Sequence, residues 1–357
     1  MTLTPSDYRE ETLKPFFNYI KGGESFFIIG APSVGKTRLV DFVMGDDSDA
    51  RRMGIDIDRD RAKKQYLGSA ASKVWLVRVD MNRIRLEHSW GFQFFELMLH
   101  SLLLACDRNS TISDIEFLKE NLAGLDSKVI QSKDDLMAHR LFEMAVNRIC
   151  QIYNIQICFL FDEFDETYRT MPIETFAQLR AIRDSNKYML SYILFLRNLP
   201  EKLRNPKDNE SFYELISRNV LGLGPYTKKD ALNIIEQLEK RRDHVLPSEY
   251  RDWVYTTSGG HPGLIQALFT LLKENPSAPS KMQDPEWFVK QEIIREEFRK
   301  IWNGLIEEEQ TALQSIAQGD QSLITPSIGK QLIAKGIIKP VGNHIPFFTP
   351  LLGYWLK

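Results

Sequence analysis

The sequence predicts an α/β fold: a parallel, doubly wound sheet carrying a phosphate loop, then a small helical unit, then three helices and a hairpin. Three observations point there. Short apolar runs alternate with helical periodicity between residues 26 and 223, the pattern of right-handed β-α-β crossovers. "IQICFLFDEFDE" (155–166) holds an unbroken apolar run, as expected of a central strand covered on both faces. After about residue 226 the strands stop and helical spacing takes over.

In chain order, residues 8–20 have helical spacing and "GGES" (22–25) ends that helix. Residues 26–29 form the first strand, followed by a loop and a helix. Residues 44–73 are polar ("GDDSDARR", "DRDRAKKQ") and read as a solvent-exposed excursion. "KVWLVRVDM" (73–81) is the second strand. Two amphipathic helices follow near 90–106 and 134–153, joined by a polar connection. The third strand is 155–166. A helix near 174–185 leads to the fourth, "YMLSYILFLRN" (188–198), and a short fifth strand is expected at 219–223. Helices at 228–242, 248–257 and 261–274 make the helical unit. "ENPSAPSKMQDPE" (274–286) is rich in proline and serine, as linkers are. Helices near 286–304, 307–318 and 325–335 precede "VGNHI", a turn between two short strands, and the whole has the outline of a winged helix. These boundaries divide the chain into a nucleotide-binding core (1–226), a helical lid (227–276) and a winged-helix domain (277–357).

A chain of 357 residues suits two or three domains. Its 46 basic and 48 acidic residues leave a net charge of −2, so no global field draws it to nucleic acid or anionic lipid. Cys106, Cys150 and Cys158 show no metal-ligand spacing and read as buried thiols of a reducing compartment. "MTLTPSDYREETLK" lacks the apolar core of a signal peptide. The greasiest segment, 92–106, is interrupted by Gln93, Glu96 and His100 and is too short to span a bilayer. The expectation is a soluble, cytoplasmic protein with no membrane partner.

The residues Gly30, Ala31, Pro32, Ser33, Val34, Gly35, Lys36 and Thr37 match G-x-x-x-x-G-K-[ST] at every fixed position, with Arg38 next. Glycines let the backbone curl so that its N–H groups point at phosphate oxygens, and the following helix adds its positive dipole end. Lys36 is expected to reach the β- and γ-phosphates and Thr37 to hold Mg²⁺ through its hydroxyl. The flanking strand and helix supply the context that a chance match lacks. In "CFLFDEFD" four apolar residues place Asp162 at the carboxyl end of a buried strand, where it can orient Mg²⁺. Glu163 follows and can accept a proton from an attacking water. Asp165 and Glu166 either extend the acidic cluster or start a solvated turn.

"FLRN" ends the fourth strand, so Arg197 and Asn198 share an edge with the phosphate loop, where either can sense a γ-phosphate. Arg218 precedes the fifth strand. It is either a solvated helix-end arginine or an arginine finger acting on a neighbouring subunit. "SGGHPGLIQAL" (258–268) is a tight turn into a helix with proline in its first turn. By spacing alone, His261 is a helix-start histidine.

In this order, these pieces resemble the AAA+-like signal-transduction ATPases with numerous domains, the STAND ATPases, and their relatives the archaeal-type ATPases and origin-recognition initiators. The likeness covers most of 8–274 and, more weakly, the C-terminal unit. "YREETLKPFFNYIKGGESFFIIGAPSVGKT" is similar to the segment in which an Arg-Glu-x-x-Leu helix, here led by Arg9, lies near the adenine. Tyr8 stands where that family has glycine. "FLFDEFD" and "LGPYTKKDALNIIEQLEKRR" are similar to its acidic motif and lid junction. Initiators carry a sensor arginine in the helix after "GGHPG". Here there is no arginine or lysine between His261 and Leu272, and Gly260-His261-Pro262 matches the STAND G-x-P signature. The resemblance implies that Pro262 packs by the adenine, that His261 contacts the β-phosphate of ADP, and that Arg197 is a sensor arginine. It also implies a slow, Mg²⁺-dependent ATPase working as a switch. ADP closes core, lid and winged helix; ATP opens them for self-association and for a protein partner or effector. The base preference for adenine rests on this likeness.

The competing expectation is a DNA-binding AAA+ ATPase, an initiator or transposition-type loader, reading DNA through "TPSIGKQLIAKGII". That helix offers Lys330 and Lys335, with Lys339 beyond, a thin footprint for a duplex. Phe347, Phe348, Tyr354 and Trp355 read as core or docking surface, which favours protein docking. A metabolic P-loop kinase would need an arginine-rich mobile lid and a substrate pocket, and neither is legible.

Overall fold

The computed structural model describes residues 4–46, 58–84, 89–109, 114–342 and 344–357. Five strands, β1 (Phe26–Ile29), β2 (Val74–Asp80), β3 (Gln156–Asp162), β4 (Leu190–Leu196) and β5 (Val220–Gly222), form one sheet in the order β2-β3-β4-β1-β5. Every neighbouring pair is parallel. All five carboxyl ends therefore lie along one edge, where open α/β sheets place their sites.

Strand residues alternate between two apolar clusters, one on each face. Phe26, Ile28, Leu76, Cys158, Leu160, Ile193 and Phe195 join the first. Phe27, Ile29, Trp75, Val77, Phe159, Phe161, Tyr192 and Leu194 join the second. The first cluster takes in the helices Glu10–Lys21 and Lys36–Val43. It continues without a break into the lid helices Lys228–Arg242, Ser248–Ser258 and Pro262–Glu274, and on into the C-terminal helices. The second is covered by Trp90–Arg108, Ile115–Ser132, Asp135–Asn147, Ile173–Ser185 and Glu210–Ser217. All three cysteines are buried and unpaired, and burial pushes their thiols up to about 12. Among the described residues no helix is long and apolar enough to cross a membrane.

Four expectations are revised. The polar connection after residue 106 contains the helix Ile115–Ser132. Its buried stripe is only Leu118, Leu122, Asp126 and Val129, too narrow to stand out among polar neighbours. In the polar excursion 44–73, residues 47–57 lie outside the described residues, but Arg61–Leu67 is helical and anchored by Ala62 and Leu67. The linker 274–286 is pinned: Ala278 is fully buried and the Trp253 indole donates to the Met282 carbonyl at 2.9 Å. The C-terminal hairpin, marked by bridges Ile338↔Phe347 and Val341↔His344, is followed by a helix, Pro350–Leu356. Thr349 caps that helix and Trp355 packs on Phe298 and Trp302. The Thr-Pro pair at 349–350 was its available signal.

Gly124 tests the unforeseen helix. It is exposed in the middle of Ile115–Ser132, and a side chain there meets nothing. Gly124→Ala should stabilise the protein by about 0.5–1 kcal/mol, and Gly124→Pro should cost about 3 kcal/mol or more, read as shifts in the urea midpoint. A loop at this position would leave the alanine variant unchanged.

Candidate functional site

The phosphate loop leaves β1 beside β4, the Gly30 N–H donating to the Leu196 carbonyl at 3.2 Å. Gly35 takes φ +97°, which glycine adopts without cost, and Ser33 is also left-handed at +55°. The curl brings the Lys36 ammonium back over the loop, donating to the carbonyls of Gly30 (2.7 Å) and Ala31 (3.0 Å). Burial lowers the Lys36 pKa to about 8 against the opposing pull of Asp165, so it remains a cation at neutral pH. Thr37 opens the helix Lys36–Val43 facing the Asp162 carboxylate.

The acidic edge is built where β3 and β4 end side by side. Asp165 accepts the backbone N–H groups of Arg197 (2.9 and 3.0 Å) and Asn198 (3.1 Å), fastening one strand end to the other. Glu163 is exposed, sits in the left-handed region at φ +52°, and lies 3.8 Å from the Arg197 guanidinium. A strained non-glycine residue at this point is held by its surroundings, here the Phe164 N–H bond to the Phe195 carbonyl and the Asp165 bonds that follow. Asp162 is buried. Arg78 of β2 donates to its Oδ2 at 2.9 Å and to Asp41 Oδ1 at 2.8 Å. Asp162 Oδ1 is buried with no hydrogen-bond partner among the described residues. A threonine hydroxyl and an orphaned carboxylate oxygen are hard oxygen donors that fit Mg²⁺.

The opposite wall is the lid and the N-terminal segment. Arg9, at φ +47°, donates from Nη2 to the Val34 carbonyl (2.6 Å) and from Nη1 to the Gly224 carbonyl (2.8 Å). Its guanidinium lies over the Tyr226 ring, 4.3 Å from the centroid. Tyr8 is fully buried with its hydroxyl 3.1 Å from that of Tyr226. Arg38 donates to Gln237 of the lid. His261 Nε2 lies 3.1 Å from the Pro32 carbonyl, and Nδ1 caps the next helix by accepting the Leu264 N–H at 3.4 Å. That pattern assigns the proton to Nε2.

The third wall comes from the C-terminal unit. The C-terminal end of helix Glu292–Asn303 meets the phosphate loop at Pro32, while its middle packs against helix Pro262–Glu274. A side chain at Gly304 would meet the Pro32 ring at 2.3 Å, and one at Gly263 would meet Glu297 Oε1 at 1.9 Å. Glu297 is buried and its Oε1 has no hydrogen-bond partner among the described residues; Oε2 accepts from Lys300 at 3.2 Å. Further along, Lys335 is fully buried and donates to Asn198 Oδ1 (2.8 Å) and Glu309 Oε2 (2.6 Å). Removing one partner of such a pair costs about 3–5 kcal/mol, while the intact pair adds little, so its role is to fix how the units dock.

Together the walls enclose a cleft of about 940 Å³ lined by Pro32, Ser33, Gly35, Lys36, Thr37, Arg38, Glu163, Arg197 and Pro262. Ile234, Leu238 and Ala267 add apolar surface on the lid side. Ala31 and Val34 are instead packed in the core, Gly30 supports the loop from behind, and Arg9 and His261 hold its backbone. Arg218 is not in the cleft; it is exposed at the end of Glu210–Ser217, beside the edge strand β5. Sequence reasoning missed Arg78, Tyr226 and Glu297 and left Asp165 undecided. Nothing local marks Arg78 or Glu297, which reach the site from 84 and 261 residues away from Asp162 and loop residue 36, respectively.

No protein-family model and no curated protein matches this chain. Among solved structures, the Walker-type ATPase PABY2304 of Pyrococcus abyssi is similar over 99% of both chains, with a TM-score of 0.56 and 15% identity. The Aeropyrum pernix ORC2 protein, solved as ADPNP-ADP complexes, covers 97% of this chain and 90% of its own at TM-score 0.46 and 14% identity. Cdc6p from Pyrobaculum aerophilum covers 98% and 92% at TM-score 0.40 and 13% identity. The first likeness shows a fold shared with that protein.

The His261 clamp has a pH signature. Burial lowers its pKa from 6.5 to about 4, opposed by Glu297 and the Pro32 carbonyl and reinforced by Arg9 and Lys36. Below pH 6.5 the unfolded chain binds a proton that the folded chain refuses, so stability is full above that value and falls as pH drops toward 4. From about pH 7.5 to about pH 5 the loss is roughly 2 kcal/mol. His261→Asn, which keeps a capping side chain, should flatten this part of the profile, measured by denaturant midpoints at both pH values.

Proposed function

We propose that this chain binds an adenine nucleotide with Mg²⁺ and works as a nucleotide-controlled switch of the STAND type, hydrolysing ATP slowly to reset. The observation that carries the reading is the contact of Gly304, at the end of helix Glu292–Asn303, with Pro32 of the phosphate loop, in a cleft that the same helix lines. Whatever fills the loop is felt by the C-terminal unit without an intermediary.

The parts have distinct tasks. Loop N–H groups, Lys36 and Arg38 bind phosphates, and Pro262 with the apolar lid residues Ile234 and Leu238 takes the base. Thr37 and Asp162 would hold Mg²⁺, which supplies charge neutralisation at the β- and γ-phosphates. Glu163 is placed to take a proton from an attacking water, and Arg197 beside it to sense the γ-phosphate. His261 has both ring nitrogens engaged, so contact with a β-phosphate requires it to release the Pro32 carbonyl. Arg218 lies on a face that a neighbouring subunit can reach, consistent with a role in trans.

The switch follows from charge. ATP brings more negative charge than ADP into a cleft already holding Glu163, Glu296 and Glu297. Glu297 is buried and cannot relax into water, so added phosphate charge opposes the docked C-terminal unit. Undocking exposes the C-terminal, winged-helix-like unit for self-association and for a protein partner. The DNA-binding alternative loses one of its three lysines, because Lys335 is buried against Asn198 and Glu309 and only Lys330 and Lys339 are exposed. Phe348 is buried and Trp355 is packed in the C-terminal core, so neither is free to meet bases.

Denaturing the purified protein and identifying released nucleotide is the direct test; retained ADP is expected, and Lys36→Ala should abolish binding. Protein that binds no adenine nucleotide would falsify the reading. Glu297→Gln should favour ATP over ADP by roughly tenfold relative to wild type, in competition binding. ATP with Glu163→Gln should give oligomers at micromolar concentration by light scattering. A persistent monomer removes the assembly step, and DNA affinity that falls steeply with salt moves the assignment to the DNA-binding alternative.

A further inference from the structure

The phosphate-loop helix, β2 and β3 meet in a closed ring of four side chains. Thr37 and Asp41 are four residues apart on Lys36–Val43 and so share one face of that helix. Opposite them, Asp162 is two residues on from Leu160, and Leu160 pairs in register with Arg78 of β2. Asp162 and Arg78 therefore project from the same face of the sheet. Thr37 faces Asp162, Arg78 Nη2 donates to Asp162 Oδ2, and Arg78 Nη1 donates to Asp41 Oδ1.

We infer that Arg78 is the positioning residue for the magnesium site, fixing the Asp162 carboxylate so that Oδ1 alone is presented beside the Thr37 hydroxyl. This rests on the nucleotide-binding reading above. The guanidinium uses two different nitrogens for two carboxylates on two elements, which holds the helix that carries Thr37 at a set distance from the strand that carries Asp162. The remaining oxygen, Oδ1, is buried and takes no hydrogen bond from Arg78, and among the described residues the donor that faces this carboxylate besides Arg78 is the Thr37 hydroxyl. A lysine in this place keeps the charge and has three donors, but it draws both carboxylates to one nitrogen instead of holding them apart on two fixed ones.

A second effect has the opposite sign. Arg78 is a cation close to a cation site, and by charge alone its removal would strengthen Mg²⁺ binding. Orientation outweighs it here. Asp41 and Asp162 supply two negative charges, so the ring keeps a net charge of −1 with Arg78 in place. Without the fork, the two carboxylates repel each other and Asp162 is free to turn away from Thr37. Outer-shell partners of metal ligands contribute about 10–100-fold in metal affinity.

The test uses full-length protein and N-methylanthraniloyl-ADP, titrated with and without Mg²⁺. Wild type should bind the nucleotide more tightly with Mg²⁺. Arg78→Met should keep its Mg²⁺-free affinity, which shows an intact loop, while the Mg²⁺ concentration for half-maximal enhancement rises at least about tenfold. Arg78→Lys should fall between the two, and it carries the test alone if the methionine variant does not fold. Unchanged or lower Mg²⁺ requirement in the variants overturns the positioning role and leaves nucleotide binding standing. Absence of nucleotide binding by wild type overturns both.

Discussion

Burial of both faces of a parallel sheet is the constraint on which the rest depends. Parallel strands with apolar side chains on both sides need helices above and below, and the crossovers that supply those helices send every strand in the same direction. Phe26–Ile29, Gln156–Asp162 and Leu190–Leu196 are buried along almost their whole length, so the constraint acts at the centre of the sheet. Its consequence is that the loop after β1, the acids after β3 and the Arg197-Asn198 pair after β4 emerge on one edge. No separate device gathers the site; Asp165 only trims it, by fastening the ends of β3 and β4.

On that edge the chemistry is one of opposed charges in limited water. Lys36, Arg38, Arg197, Arg242 and Lys300 face the same cleft as Glu163, Glu296 and Glu297. Burial works against the charged form of both signs, lowering Lys36 and raising Asp162, while Asp165 opposes the shift at Lys36 and Arg78 opposes it at Asp162. A polyanion entering the cleft meets cations on the loop, and both carboxylates and Lys300 on the C-terminal helix.

The C-terminal unit is tied to the core at two places of different character. At the loop and the helix beside it the approach is so close that Gly304 against Pro32, and Gly263 against Glu297, have no room for side chains. At the end of β4 it inserts the buried Lys335-Glu309 pair against Asn198. The first contact sets the unit against the loop, and the second fixes the docked position. One continuous apolar cluster beneath them joins core, lid and C-terminal unit, so opening the cleft repacks a shared core.

The sequence by itself determined the sheet, the loop and the acidic strand end, because each is local. A run such as FFII or ICFLF, a G-x-x-x-x-G-K-T loop and a carboxylate after four apolar residues are specified within a few positions. It read Phe347, Phe348, Tyr354 and Trp355 as core or docking surface; Phe348 is buried and Trp355 packs on Phe298 and Trp302, while Tyr354 is exposed. It missed Ile115–Ser132 because one narrow apolar stripe yields a weak period, and it misread Lys335 because a lysine's default is solvent. Only the tertiary structure decided that Arg78 bridges Asp41 and Asp162, that His261 grips the Pro32 carbonyl, and that Glu297 stands against Gly263 at the cleft. Those partners are far apart in the chain. Their pairing is set by how helices pack across the sheet edge, and no local pattern of residues encodes that geometry.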